Sequence, residues 1–391
     1  MRKALVLSCT ALMAATLLSG CRSSNELNVM SLVMGIAIDK GGRENEYEVT
    51  AQIAQPTAHL GGGESSGASE NSGGHLNITR TGVGVSAAMH EISQVQSRKL
   101  YTGHIQLVII SREVAKDGIG PILDYFIGSA DGRLSTTLLI AGGSAKALLE
   151  GKSKTKHSPA AILAGLIEAR VKAGEINEST MLAYLDDMVG GLTAPIIPVV
   201  EMKKDKNGGE QAELTGAAVF DGTRLREVMT TSQSQAVLAV RNQISGGFQK
   251  VEKDGKYLTL HVEKASSRVH ATVEDGRPKM TVMIYREYSV DDSTLDIDYL
   301  NNSGRHSAEQ ILKAQTLEQL QKTLAWAKEQ RFDAFGFGEF LYRHHNRETQ
   351  ELLRNWSRAF PELEVNFEID VTILGAGAIL KSLEPVNRWR E

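Results

Sequence analysis

The chain has 391 residues, 43 basic and 47 acidic side chains, and a formal net charge of −4. That length provides for two or three domains, and the acidic balance argues against a nucleic-acid partner, which calls for a basic patch or stripe. The only cysteines are Cys9 and Cys21, which excludes zinc sites built on paired cysteines.

The first 21 residues predict an export signal that ends in a lipidated cysteine. Arg2 and Lys3 supply the positive start, and Ala4 to Leu18 is apolar with small polar interruptions. At 15 residues the stretch is short for a bilayer span, which needs roughly 20 apolar residues. Leu18-Ser19-Gly20-Cys21 then gives a branched residue, two small residues and the cysteine of a lipobox. Residues 1–20 are expected to be removed and Cys21 to become the lipid-bearing N-terminus, the link to membrane lipid. Cys9 leaves with the signal, so the mature chain has no disulfide available and keeps 41 basic against 47 acidic side chains. Two acyl chains suffice for stable anchoring, since each buried methylene contributes about 0.8 kcal/mol. Only Arg22 to Glu26 separate the anchor from the first apolar pattern at Leu27, a reach of about 17 Å when extended. The folded body is expected close to the lipid surface. Beyond the signal no apolar run approaches the length of a span.

Leu27 to Met34 reads as a short helix or apolar lead-in, and Gly35 to Asp39 as a strand end. Tyr47, Val49, Ala51 and Ile53 alternate with Glu48, Thr50 and Gln52, the pattern of a strand with one wet face. Leu60 to Gly74 is rich in Gly and Ser and predicts a flexible loop. A strand follows over His75–Thr81, a helix over Val83–Val95, an apolar strand over Leu100–Ser111, and mostly helix over Glu113–Ile127. Leu134–Ala141 is strand-like, Ser144–Val189 helical with a basic break at Lys152–Lys156, and Pro195–Met202 strand-like. The charged stretch Lys203 to Glu210, with Gly208 and Gly209 paired inside it, is either a domain boundary or a hairpin turn. In the second case the boundary moves toward Gly191 or Thr193.

The second half opens with strands and a helix around Ser234–Gln243. Strands follow at Leu258–Glu263, Arg268–Val273 and Met280–Val290. Ser307 with Gln310 has the spacing of a capping box. Ile311, Leu317, Leu320, Leu324 and Ala327 then mark a helix through Gln330, about 35 Å long at about 1.5 Å per residue. Two shorter helices around Phe340 and Leu352 precede a strand in which Val365, Phe367, Ile369, Val371 and Ile373 alternate with polar residues. Strands and helices mix without a regular β-α-β rhythm, which predicts an α+β fold of several domains. The expected regions are 21–202, with its loop at 60–74 and helical part at 144–190, and 211–385.

Candidate chemistry is thin. Gly82-Val83-Gly84-Val85-Ser86-Ala87 matches a loose dinucleotide pattern, but Glu91 and Glu113 are badly spaced for the acidic partner. A strand-to-helix turn is the better reading. Ser153 and Lys156 have the spacing of penicillin-binding enzymes without the accompanying Lys-Thr-Gly or Ser-Asp-Asn. His344 and His345 are neighbours, which point apart on a helix, so neither is expected to bind metal. Glu339 in Phe335-Gly336-Phe337-Gly338-Glu339 lacks a second carboxylate for glycosidase chemistry, and a turn planting Phe335 and Phe337 in the core is expected instead. No catalytic set and no cofactor are predicted.

Three blocks carry a family resemblance. The first runs from the lipobox through Glu26-Leu27-Asn28 to Gly35-Ile36-Ala37-Ile38-Asp39-Lys40 and Gln55-Pro56. The second is Gly103-His104-Ile105-Gln106-Leu107-Val108-Ile109-Ile110-Ser111-Arg112-Glu113, continuing through Ile122-Leu123-Asp124-Tyr125-Phe126 to Ser144-Ala145-Lys146. The third is Asp333-Ala334-Phe335-Gly336-Phe337-Gly338-Glu339, with Asn355-Trp356, Phe360-Pro361 and the terminal strand. Together they resemble the Ger(x)C family, lipoprotein C subunits of spore nutrient germinant receptors. Arg22-Ser23-Ser24 departs from the aromatic and acidic pair the family often carries there. The resemblance implies a three-domain α+β fold and a non-enzymatic subunit that works beside multi-spanning A and B subunits. It also marks Gly35, Asp39, Gly103, His104, Ser111, Arg112, Glu113, Phe335, Gly336, Gly338 and Glu339 as structural or interaction residues. A solute-binding lipoprotein of a transporter is the rival reading; it calls for repeated β-α-β lobes that the second half does not suggest. A lipid-anchored hydrolase is disfavoured by the missing catalytic set.

Overall fold

The computed structural model describes residues 30–55, 74–151 and 158–376, apart from single positions at 205, 207, 254, 276, 296, 298 and 300. The export signal, Cys21, all of the predicted Gly/Ser loop except Gly74, and the Lys152–Lys156 break lie outside the described residues.

Two sheets organise the fold. The first contains β1 (Met30–Lys40), β2 (Glu46–Ala54), β3 (His75–Val83), β4 (Lys99–Tyr101), β5 (Leu107–Ser111), β6 (Thr137–Ala141), β7 (Ile196–Lys204), β8 (Glu210–Asp221) and β9 (Arg224–Thr230). Its order is β3-β2-β1-β5-β6-β7-β8-β9, with β4 paired to the start of β1. The middle strands β1, β5, β6 and β7 are parallel, and antiparallel pairs flank them. Both faces of this centre are covered, which is why β5 and β6 read as unbroken apolar runs rather than alternating ones.

Helices α1 (Gly84–Gln94), α2 (Arg112–Asp117), α3 (Gly120–Gly128) and α6 (Met181–Gly190) cover one face. There Ile92, Val114, Ile122, Phe126 and Tyr184 bury against Ile36, Ile38, Val108 and Ile110. Helices α4 (Ala145–Glu150) and α5 (Pro159–Lys172) cover the other, packing Leu148, Leu149 and Leu163 on Leu107, Ile109 and Leu139.

The second sheet has four strands in the order β10 (Phe248–Lys253), β11 (Lys256–Glu274), β12 (Arg277–Ser293) and β13 (Glu364–Ala376). β13 lies parallel to β12, which requires a crossover. That crossover is α8 (Asn302–Gln330), α9 (Phe337–Leu353), α10 (Trp356–Ala359) and a 3-10 turn at Phe360–Glu362. The 29-residue α8 spans about 43 Å at 1.5 Å per residue. Its first half packs Ala308 and Leu312 on Leu260, Tyr288 and Ile373. Its second half packs Leu320, Leu324 and Ala327 into a core shared with the first sheet. That shared core also takes Ile196, Ala217, Val219 and Met229 from β7–β9, and α7 (Thr231–Val240).

The α+β class and the mixed sheets agree with the sequence reading, while several local expectations change. From Met30 onward the expected lead-in belongs to β1, because Ser31 and Leu32 pair with Leu100 and Tyr101, a partner remote in sequence. The single strand expected over Leu100–Ser111 is two, β4 and β5. Arg268–Val273 continues β11 without a break. Lys203–Glu210 closes a hairpin, with Lys204 opposite Glu210, so β8 and β9 belong to the first sheet. Ser307 lies inside α8, where its hydroxyl donates to Ser303 O at 3.0 Å. The cap is Asn301, whose side chain accepts from Gly304 N. A capping box is present elsewhere, at Thr230 and Gln233.

Glycine positions test the packing of α5. A Cβ on Gly35 would lie 2.8 Å from the Cβ of Ala160, so β1 and α5 approach only because that atom is missing. Gly35→Val should lower stability by about 1–3 kcal/mol, the usual penalty for overpacking. A Cβ on Gly165 of the same helix meets nothing within 4 Å, so Gly165→Ala should gain about 0.5–1 kcal/mol of helix propensity. Urea midpoints of the two variants check both signs.

Candidate functional site

The residues singled out by resemblance fall in two places. The first is the rim where the parallel strands end. Asp39, near the end of β1, accepts from the backbone N–H groups of Ala145 and Lys146, both at 2.8 Å. Ser144 caps the same short helix through Ala147 N and lies 3.3 Å from the Asp39 carboxylate. The carboxylate thereby satisfies the open donors at the start of α4. Ser111, the last residue of β5, caps α2 by accepting from Val114 N. Arg112 reaches Glu201 of β7 at 3.7 Å, and Lys40 reaches Asp117 at 2.8 Å and Glu113 at 3.6 Å. The hydrogen bond to Asp117 raises the Lys40 pKa. The Lys40 pairs are exposed, and such pairs contribute about 0–1 kcal/mol each, while Arg112 and Glu201 are half-buried.

Gly103 and His104 lie at the opposite end of β5 from Ser111, so this block runs along a strand and does not converge on one point. A Cβ on Gly103 would lie 2.6 Å from the Tyr101 hydroxyl. His104 is exposed.

The second place is the loop between α8 and α9. Gly336 has φ +83°, which suits glycine, and it turns the chain so that Phe335 and Phe337 stack with centroids 5.4 Å apart. Both rings are buried, as expected from the sequence. The loop is folded around the carboxylate of Asp333, which heads the third block but is not among the residues the resemblance marks. Its Oδ1 accepts from Phe335 N and Gly336 N at 2.9 Å each. Its Oδ2 accepts from Gly338 N at 2.8 Å and Trp356 Nε1 at 3.1 Å. A Cβ on Gly338 would lie 2.5 Å from that indole nitrogen, so the close approach requires glycine.

Backbone carbonyls of the loop extend the network to the first sheet. Asp333 O accepts from Ala194 N at 2.7 Å, and Ala334 O accepts from Arg241 Nε at 2.7 Å. Arg241, largely buried, also donates to Ala194 O and forms an ion pair with Asp187 of α6 at 2.9 Å. The loop is thereby tied to the approach to β7, the end of α7 and the starts of α9 and α10, and Arg241 carries the link on to α6. Glu339 points away from this network and pairs with Arg343 at 2.7 Å. It occupies the first turn of α9, where the helix dipole favours an acid. The signal that could have found Asp333 was its place at the head of the Phe-Gly-Phe-Gly run, where a carboxylate can accept the amides that follow it.

The remaining motifs have structural settings. Gly82 to Ala87 is the turn from β3 into α1. His344 stacks on Phe340 at 4.3 Å, and His345 sits at a kink in α9. Among the described residues no group of three His, Cys, Asp or Glu side chains is placed to hold a metal. Ser153 and Lys156 lie outside the described residues.

Two family models cover this chain: a spore germination protein N-terminal domain over residues 23–202, and a spore germination B3/GerAC-like C-terminal region over 215–377. The chain belongs to the Ger(x)C family of spore germination proteins. Among its relatives in Bacillus subtilis is the putative spore germination protein YfkR, 23% identical over 98% of this chain and all of that one. Spore germination protein KC is 22% identical, with 94% of each chain covered. YndF is 25% identical over 96% of this chain and 97% of its own. A crystal structure of the GerBC protein matches with a TM-score of 0.59 at 16% identity, over 87% of this chain and 97% of that one, and shows that the Ger(x)C fold is shared.

The Asp333 network of this Ger(x)C protein yields a signed expectation. Burial pushes the carboxyl up to about 6, opposed by its N–H donors and by Arg241. A folded-state pKa above the unfolded value of 3.8 means the folded chain holds the proton more tightly. The resulting stability is present below about 4 and lost as pH rises through about 6. Asp333→Asn turns a donor toward Gly338 N–H and the indole N–H. Stranding buried donors costs about 1–3 kcal/mol each. The variant should be destabilised at pH 7, and its gap to the wild type should widen toward pH 4.5. Thermal midpoints of both proteins across that range measure it.

Proposed function

We propose that this chain is the lipid-anchored, non-enzymatic C subunit of a spore nutrient germinant receptor. It is held on the outer face of the spore inner membrane through Cys21 and is needed for receptor assembly or signal coupling beside multi-spanning A and B subunits. The observation that carries the reading is the run of family matches over nearly all of the chain that follows the lipobox. The site geometry supports it. The buried carboxylate that the third motif encloses spends its lone pairs on donors of its own fold. The acids and bases of the rim are paired with one another or cap helices. Among the described residues no helix is long and apolar enough to cross a membrane.

Two experiments follow. Cys21→Ala should leave the precursor uncleaved or release the chain from the membrane; a variant still processed and lipid-labelled contradicts the anchor. The lipidated protein recovered from spore membranes should bring a multi-spanning pair with it. Recovery of transporter ATPase machinery, with tight binding of a small solute by the chain itself, would make it a solute-binding lipoprotein instead.

A further inference from the structure

The two ends of the first sheet differ. At the end where β1 begins, four bulky apolar side chains from separate elements stand exposed: Val95 at 50%, Ile127 at 51%, Leu134 at 41% and Leu182 at 56%. Hydrogen bonds link three of these elements to the start of β1. Ser31 of β1 donates to Gln96, the residue after Val95. Gln106 N donates to Met34 O and Thr137 N to Gln106 O, so β6 starts beside β5, which separates it from β1, at the same end of the sheet. Leu182 N donates to Leu134 O, which puts the start of α6 against the approach to β6. Ile127 lies in the last turn of α3, which descends to the same end after β5. Arg98 and Lys99 adjoin Met30 through β4, Arg133 precedes Leu134, and all three are exposed; Asp131 is the acid in that loop.

We propose that this end of the sheet rests on the lipid bilayer, with Val95, Ile127, Leu134 and Leu182 entering the interface and Arg98, Lys99 and Arg133 meeting anionic headgroups. The proposal rests on the anchoring reading above and adds the orientation of the body. The tether decides between a membrane and other occupants. Eight residues, Arg22 to Val29, separate the lipidated position from Met30, a reach of at most about 30 Å. The start of β1 therefore stays within about 30 Å of the lipid, and the apolar residues beside it are the ones the tether brings near the surface. Mixed apolar and basic side chains are the composition that such interfaces accept. At the far end of the sheet, β3 runs parallel to β1 and ends at the 69% exposed Val83, which should stay in water.

The test uses the full lipidated protein in vesicles of phosphatidylglycerol and phosphatidylethanolamine. After processing, Cys21 carries its lipid on sulfur, so an introduced cysteine is the one free thiol. A polarity-sensitive dye is placed by Val95→Cys, Leu182→Cys or Val83→Cys, each checked for native circular dichroism. Dyes at 95 and 182 should shift to the blue and be quenched severalfold by doxyl-labelled lipid, while the dye at 83 stays unshifted. Protein that floats with the vesicles but leaves all three dyes in water overturns the orientation and leaves the anchor standing. Protein that fails to float overturns the anchoring reading and the orientation with it. Dyes at 95 and 182 shielded only in spore membranes, without lipid quenching, assign this end to a protein partner and refute the proposal.

Discussion

The Asp333 carboxylate is the constraint on which the second half of the molecule depends. Four N–H groups converge on its two oxygens, one from an indole two helices away. A carboxylate can accept all four because it has about four lone-pair sites and no proton to place at neutral pH. Each donor fixes something different. The amides of Phe335 and Gly336 set the turn, that of Gly338 starts α9, and the Trp356 indole pins α10. Without this side chain, four buried donors would lose their acceptor.

The same network joins the two sheets. Arg241 spans them by donating to carbonyls on both sides and pairing with Asp187. Around it, apolar residues of β7–β9, α7, α8 and β12 form one continuous core. Breaking a partly buried pair of this kind strands a charge, which is costly even where the intact pair contributes little. The hairpin of β7 and β8 matters here as well, because it carries the first sheet across to meet α7 and β12. Asp39 repeats the device on a smaller scale, holding α4 to the end of β1 through two backbone amides.

Much of this was legible in the sequence. Alternation located β2 and β13, but only β13 has one wet face. Thr50 and Gln52 of β2 are buried, and Gln52 bonds Leu149 O and Ala160 N of the helices above it. The run of α8 through Gln330 was visible in its repeating Leu residues. The burial of Phe335 and Phe337 followed from Gly336 between them and Gly338 after them. What escaped was non-local. Met30 to Leu32 looks helical or unstructured until β4 pairs with it from remote sequence. Ser307 fits a capping box, yet Asn301 offers the same chemistry earlier in the chain and wins. Asp333 was visible as part of a motif, but its role depends on Trp356 and Gly338 meeting around it. The residues marked by resemblance proved to be distributed, with His104 in the turn before β5 and Ser111 at the strand's far end.

These features describe a body in which Asp39, Ser111, Gly336, Gly338 and Asp333 hold elements in register. The central claim is that the Asp333 network makes the two sheets one cooperative unit. Native-state hydrogen exchange of the Gly338 amide and Trp356 indole, followed across denaturant with the amides of β5 and β6, tests it most directly. The account predicts that all of them exchange only through global opening and share one denaturant dependence. Exchange of the Gly338 and Trp356 protons at a markedly lower free energy, with the first sheet still protected, would contradict it.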